Sequence, residues 1–260
     1  LGDVYKRQQE LITNDRIIGG ISKLCAERAA EFYQLFVSGD LHRTDARTAE
    51  MVKLTENSFR DVNIAFANEL SLICDRLGVN AWELIELANF HPRVNILNPG
   101  PGVGGHCIAV DPWFLVDTAP QQARLIRTSR EVNDSKPGWV VEQASGVAAG
   151  LEEPVIACLG LAFKANIDDL RESPAIEIVE ALASAGIGQL LVVEPNIDVL
   201  PRSLAARDAV ELVSLADALS RANVLLVLVD HREFSDLKHV DRDRYRIIDT
   251  RGLCHNPLRA

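Results

Sequence analysis

Apolar positions recur along this chain with two different periods, and the change of period divides it. Arg16-Ile17-Ile18-Gly19-Gly20 reads as a short buried strand, and Ala26 to Phe36 as a helix packed beside it, because Ala29, Phe32 and Phe36 recur at helical spacing. These make one β-α unit, too little for a complete domain. From about Asp45 the pattern turns helical: Glu50 to Leu77 contains neither glycine nor proline, and Gly78 stands where a C-terminal cap belongs. Such a helix is roughly 40 Å long at about 1.5 Å per residue. Val62, Phe66, Leu70, Ile73 and Leu77 form an apolar stripe that should pack, while Lys53, Asn57 and Arg60 share the roughly opposite side. Asn80 followed by Glu83 is a capping pattern for a second helix, which His91-Pro92 ends. A loop rich in glycine and proline, Asn98 to Asp111, comes next. Helical sequence resumes at Pro112 and again near Gln121, with Pro137 marking a kink or break.

Beyond Gly150 the period changes again. Short apolar runs (Val155 to Leu159, Leu190 to Val193, Val224 to Val229, Ile247 to Ile248) alternate with helical stretches (Pro174 to Ala185, Val213 to Ala222), which predicts a parallel α/β sheet. The fold class expected is α/β: a strand-helix remnant in residues 1–44, a helical central domain in 45–149 and a Rossmann-like parallel α/β domain in 150–260.

Composition narrows the function more than the fold. A formal net charge of -10 repels a polyphosphate backbone, and basic residues nowhere concentrate, so nucleic acid is not an expected partner. The longest apolar runs fall far short of the roughly 20 residues a membrane span needs. Five scattered cysteines, none paired as C-x-x-C, argue against a disulfide framework or a zinc site and for a reducing cytoplasm; no metal is expected. No export signal is expected at the start of the chain.

Gly100-Pro101-Gly102-Val103-Gly104-Gly105 satisfies G-x-G-x-x-G, so a dinucleotide turn has to be weighed first. A true fingerprint leads straight into a helix, whereas here His106, Cys107 and an apolar stretch intervene, and two prolines delete N–H donors. The glycines suit better a backbone passing close to a ligand and presenting Cys107 at the loop's end. Cys25, Cys74 and Cys158 read as small buried hydrophobes. Cys107, beside a histidine and four residues before Asp111, reads either that way or as a nucleophile, and its spacing leaves both open. Asp111-Pro112 also suits a helix start with aspartate at the cap. Lys53, Asn57 and Arg60 suit a solvated helix face equally well. In the last domain, the strand ending at Leu159 leads into Gly160-Leu161-Ala162-Phe163-Lys164, and Arg171 precedes the helix opened by Ser173-Pro174. Both cations sit where α/β sheets gather phosphate ligands.

Four stretches together, KLTENSFRDVNIAFANEL from Lys53, HPRVNILNPGPGVGGHCIAVDPWF from His91, GLAFKANIDDLRESPA from Gly160 and VVEPNI from Val192, resemble the UDP-glucose/GDP-mannose dehydrogenase family from about residue 9 onward. Val110, where many UDP-glucose enzymes carry lysine, resembles the branch acting on UDP-N-acetylhexosamines, UDP-N-acetyl-D-mannosamine foremost. The resemblance implies an NAD-dependent oxidation of a C6 alcohol to a uronate for bacterial surface polysaccharide. It implies Cys107 as the nucleophile, Lys53 and Asn57 beside the reacting carbon, and Asp111 as the active-site aspartate. Arg60, His91, Arg93, Gly104, Phe163, Lys164 and Arg251 would hold the UDP-sugar, some of them from a neighbouring subunit of a homodimer built on the helical middle. Arg171 would touch NAD across a cleft. The family's dinucleotide fingerprint and acidic ribose ligand do not appear, and Leu1 to Gln8 matches nothing in the family. The expectation is a chain lacking most of an N-terminal NAD-binding domain and inactive by itself. Other readings are a UDP-glucose 6-dehydrogenase relative, a noncatalytic UDP-sugar-binding and dimerisation piece, and a cysteine hydrolase using Cys107 and His106.

Overall fold

The computed structural model describes residues 2–254; Leu1 and residues 255–260 lie outside the described residues, as do the side chains before Gln8. The chain forms two compact units, one up to Ser58 and one from Phe59 onward.

The first unit runs α1 (Gly2–Thr13), β1 (Arg16–Gly20), α2 (Lys23–Tyr33) and β2 (Leu41–Asp45), with β1 and β2 paired in parallel. The expected β-α unit is therefore a β-α-β unit. Ser22 caps α2 by accepting the Cys25 N–H, and that places Cys25 on the exposed first turn rather than in a core. The packed face of α2 is Ala26 and Ala30. Phe32 and Phe36, expected inside, are exposed and meet Tyr33 instead. Alanine wins the inner face because Gly20 lets the strand run hard against the helix: a Cβ there would stand 2.4 Å from the Ala26 nitrogen.

α3 (Ala46–Leu77) is the predicted long helix and ends as predicted. Gly78 adopts φ +65; its N–H reaches the Asp75 carbonyl, and the Val79 N–H reaches the Cys74 carbonyl, the paired bonds of a Schellman cap. Asn80 caps α4 (Ala81–Asn89) through the Trp82 and Glu83 N–H groups. α5 (Asp111–Thr118) starts one residue earlier than expected, with Val110 at the cap and Asp111 already helical. α6 (Arg124–Ala148) runs unbroken through Pro137. Buried side chains anchor it on both sides of that residue, Arg130, Asn133 and Lys136 before it and Val140, Ala144 and Ala148 after, and they offset the proline's cost of about 3 kcal/mol.

In the second unit the packed face of α3 is Asp61, Ala65, Asn68 and Cys74, not the apolar stripe; Phe66, Ile73 and Leu77 are exposed. The reason lies in the facing helix, which presents polar groups: Asn68 donates to Asn133 at 2.9 Å, and Lys136 donates to Ser71 at 2.9 Å.

Lys136 is 2% exposed and 4.1 Å above the Trp139 ring. Burial pushes its ammonium down to about 8, with Asp75 pulling the other way. Because the folded value lies below the unfolded 10.5, the unfolded chain binds more protons between about pH 8 and 10.5, and stability rises with pH there; below about 8 the whole penalty is present. Lys136→Met is therefore expected to stabilise the protein near neutral pH, by about 1–3 kcal/mol, and to remove that upward slope. Urea unfolding near neutral pH and at high pH checks both; a variant less stable near neutrality would mean that the Ser71 and Trp139 contacts outweigh the cost of burial.

The rest of the chain is a five-stranded parallel sheet. β3 (Val155–Leu159), α7 (Pro174–Ala185), β4 (Gln189–Val193), α8 (Arg202–Ala205), β5 (Val210–Leu212), α9 (Leu215–Arg221), β6 (Val224–Val227), a 3-10 helix (Arg232–His239) and β7 (Arg246–Asp249) give the order β5-β4-β3-β6-β7. Alternate residues face opposite layers. Ile156, Cys158, Leu190, Val192, Val224 and Leu226 pack with α7 and the second half of α6. Ala157, Leu159, Leu191, Leu225 and Val227 pack with Ala218 of α9 and with Phe234 and Leu237. Each fully buried aliphatic side chain contributes about 1.5–3 kcal/mol.

Candidate active site

The sheet order decides where a ligand can sit. The chain winds outward from β3 to β4 and β5, then returns to the other side of β3 with β6, so the switch point lies between β3 and β6. Loops leaving the carboxyl ends of two such strands diverge and open a crevice. Gly160 makes the exit possible: at φ +95 it lets the loop after β3 pass where a Cβ would stand 2.4 Å from the Val229 Cβ.

A cavity of about 400 Å³ opens at that crevice, and its lining includes Arg60, Gly104, Phe163, Lys164, Asp230 and Arg251. Five of the seven residues expected to hold substrate thus meet in one place. Asp230 grips Arg251 at 2.8 Å from Nε, while Asp249 accepts the Arg251 N–H at 2.9 Å, so the guanidinium is held at a fixed angle. Three cations against one carboxylate leave the cavity positive, and planar guanidinium groups suit oxyanions.

The glycine-rich loop forms the other wall. It follows no strand, and its glycines are close to side chains rather than to open space. A Cβ at Gly104 would stand 2.8 Å from the Phe163 Cβ and 2.5 Å from the Glu172 carbonyl, and one at Gly100 would stand 2.8 Å from the Arg251 guanidinium. The Gly100 N–H donates to Asn68 at 2.8 Å. Further along, the Cys107 carbonyl accepts the N–H groups of Val110 and Asp111 at 3.1 and 2.8 Å, which pins the residue just ahead of α5 and leaves its thiol exposed. The other thiols of this unit are buried, and burial pushes Cys158 up to about 12 and Cys254 up to about 11.

The remaining expected residues lie elsewhere. Cys107 is outside the cavity lining, although its neighbour Ile108 belongs to it. His91 and Arg93 are exposed and outside it, folded on each other in a turn where the Arg93 N–H meets the His91 Nδ1 at 3.3 Å. Arg171 is exposed and fastened to Asp169, whose carboxyl its hydrogen bonds hold down at about 2. Lys53 and Asn57 belong to the first unit: Lys53 is exposed beside Glu56, and Asn57 is buried. Sequence reasoning missed Asp230, which follows a strand without any local pattern. It also gave no role to Glu194 or His231, a fully buried pair beneath the Phe163 loop.

Two adjoining segments match domains of one family. Residues 47–135 match the central domain of the UDP-glucose/GDP-mannose dehydrogenase family, and residues 157–256 match its UDP binding domain. The chain belongs to this family. It is 63% identical over 248 residues to an NDP-N-acetyl-D-galactosaminuronic acid dehydrogenase of Ralstonia nicotianae, covering 94% of this chain and 57% of that protein. It is 58% identical over 252 residues to the UDP-N-acetyl-D-mannosamine dehydrogenase of Escherichia coli K12, covering 94% and 60%. A solved UDP-N-acetyl-mannosamine dehydrogenase from S. aureus superposes with a TM-score of 0.81 at 43% identity, covering 96% of this chain and 58% of that one. The chain thus spans under two thirds of the length of these family members. Among the described residues no helix is long and apolar enough to cross a membrane.

Proposed function

We propose that the protein oxidises the C6 alcohol of a UDP-N-acetylhexosamine, UDP-N-acetyl-D-mannosamine first, to the uronate. The observation that carries this reading is the positive cavity at the β3/β6 switch point, whose Arg60, Lys164 and Arg251 suit a nucleoside diphosphate, beside a loop that presents an exposed thiol. Cys107 Sγ would add to the C6 aldehyde, and the covalent adduct keeps the carbon in place until its thioester is hydrolysed. Lys53 and Asn57 would stabilise charge developing on the C6 oxygen, and Asp111 would orient the hydrolytic water. NAD supplies the hydride acceptor for both two-electron oxidations. The Gly100–Gly105 run does not fit that cofactor, because its glycines pack on Phe163, Pro174 and Arg251; the exposed Arg171 guanidinium fits a single phosphate contact. The domain division proposed is 1–44, 45–149 and 150–260.

Calorimetric titration with UDP tests the binding half. Lys164→Ala and Arg251→Ala are each expected to weaken UDP by about tenfold or more, since a charge-assisted hydrogen bond is worth about 1.5–3 kcal/mol. Unaltered affinity in both variants would place the diphosphate elsewhere. The higher identity to the N-acetylgalactosaminuronate enzyme favours UDP-N-acetyl-D-galactosamine as the second reading. The ratio of kcat/KM for the two sugars decides between them.

The proposal includes a homodimer built on α3. Phe59, Phe66 and Ile73, spaced seven apart, are 69%, 52% and 47% exposed, an apolar row that a single chain leaves uncovered. His91 and Arg93, outside this chain's cavity, would then serve the partner's. In protein supplied with an NAD-binding domain, mixed dimers of Cys107→Ala and Arg93→Ala chains are expected to regain part of the activity that each lacks alone; confirmed mixed dimers that stay inactive refute a shared site.

A further inference from the structure

Glu194 directly follows β4, and its carboxylate lies under the loop that carries Phe163 and Lys164. Its Oε2 accepts the backbone N–H of Leu161 at 2.7 Å and of Ala162 at 3.0 Å, and faces the His231 Nε2 at 2.9 Å. Its Oε1 accepts both the backbone N–H and the side-chain amide of Asn196, each at 3.0 Å. Across the imidazole, the His231 Nδ1 accepts the backbone N–H of Asn166 at 3.0 Å, with the Asn196 amide nitrogen 3.1 Å away. A ring nitrogen that accepts a backbone N–H carries no proton, so His231 is neutral and bears its hydrogen on Nε2, pointing at the carboxylate.

These bonds grip the loop at both ends. Leu161 and Ala162 hang from the carboxylate; Asn166 hangs from the imidazole and in turn accepts the Arg232 N–H at 2.9 Å, which holds it at φ +61 in the left-handed region. Phe163 and Lys164 form the span between the two anchors. Phe163 passes the geometry on, because its Cβ and ring pack against Gly104 and Gly105 in the loop leading to Cys107. Burying a charge this completely is costly unless every lone pair is used, and here both oxygens are used. Burial pushes the Glu194 carboxyl up, but the hydrogen bonds from His231 and the backbone outweigh it and hold the group below its usual range.

We infer that Glu194 and His231 are positioning residues that set Phe163 and Lys164 in the geometry that receives the diphosphate, without touching substrate themselves. The inference rests on the nucleotide-sugar reading above.

Glu194→Gln is the direct test. An amide in place of the carboxylate brings an NH2 group against the N–H groups of either Leu161 and Ala162 or Asn196. UDP affinity and the KM for the nucleotide sugar are each expected to worsen by about tenfold or more, ~1.4 kcal/mol, with the KM for NAD unchanged. His231→Leu should act alike. His231→Gln, which can donate to Glu194 and accept from Asn166, should recover most of the affinity, and this comparison decides the matter if Glu194→Gln does not fold. Nitrogen NMR of the wild-type imidazole at neutral pH should show the Nε2–H tautomer. A cationic or Nδ1–H His231, or UDP affinity kept in both Glu194→Gln and His231→Leu, overturns the inference alone. Parallel changes in melting temperature, kcat and both KM values overturn it in favour of a purely structural pair. Wild-type protein that does not bind UDP would refute the nucleotide-sugar reading itself, and the inference with it.

Discussion

In protein supplied with an NAD-binding domain, Cys107→Ser is expected to cut the proposed uronate formation by about a thousandfold or more while sparing the first oxidation far better. The hydroxyl is a poor nucleophile at neutral pH and a poor acyl carrier, so the aldehyde-level product should accumulate or escape. Geometry makes the comparison clean. The position is held through its carbonyl, which two backbone N–H groups clasp, and its side chain is exposed, so serine disturbs no packing. No other thiol of the second unit can substitute, because Cys74, Cys158 and Cys254 are buried, with pKa values pushed up by burial. A carbonyl-trapping reagent with chromatographic detection distinguishes aldehyde from acid. Uronate produced by the serine variant at the wild-type rate would remove Cys107 from its role.

What could be read in the sequence depended on whether the signal was local. β3 and α7 fall on the expected residues because a buried strand and a Ser-Pro helix start declare themselves within a few positions. The long helix and its glycine cap were equally legible, and so was the meeting of Phe163 and Lys164 at the end of β3. β2 and β5 were missed: Leu41–Asp45 is largely polar at a sheet edge, and Val210–Leu212 is only 3 residues long. The face of α3 that packs within this chain was not legible: the apolar stripe stays exposed at Phe66, Ile73 and Leu77, as a subunit interface requires, while Asp61, Ala65, Asn68 and Cys74 form the buried face. Glu194 stood only inside the VVEPNI resemblance, with no role attached, and His231 carried no signal. The two residues are 37 apart in sequence, and they meet because the sheet brings the carboxyl ends of β4 and β6 to the same side.

The largest effect on stability is expected at Arg130. The residue is 1% exposed; its guanidinium donates to Asp61 at 2.6 Å and also bonds Asp134, its neighbour one turn along α6. Asp61 is fully buried, and burial pushes its carboxyl up while Arg130 and Asn133 pull it down. Among the described residues, Asp61 Oδ2 and Arg130 Nε are buried without a partner, so the pair stands on incomplete satisfaction and depends on its mutual attraction. Arg130→Met removes one partner and strands the other, which should cost about 3–5 kcal/mol in urea unfolding. Adding Asp61→Asn removes the stranded charge and should restore most of that loss, because a buried ion pair replaced as a unit is close to neutral. The same network reaches the site: Asn133 donates to Asp61 at 2.8 Å and accepts from Asn68, and Asn68 accepts the Gly100 N–H beside Arg251. Arg130→Met should therefore also loosen the glycine-rich loop and weaken UDP, whereas the double variant recovers stability and affinity together. If the single variant proves as stable as the wild type, or the double variant is no better than the single, the coupling of charge to fold proposed here is wrong.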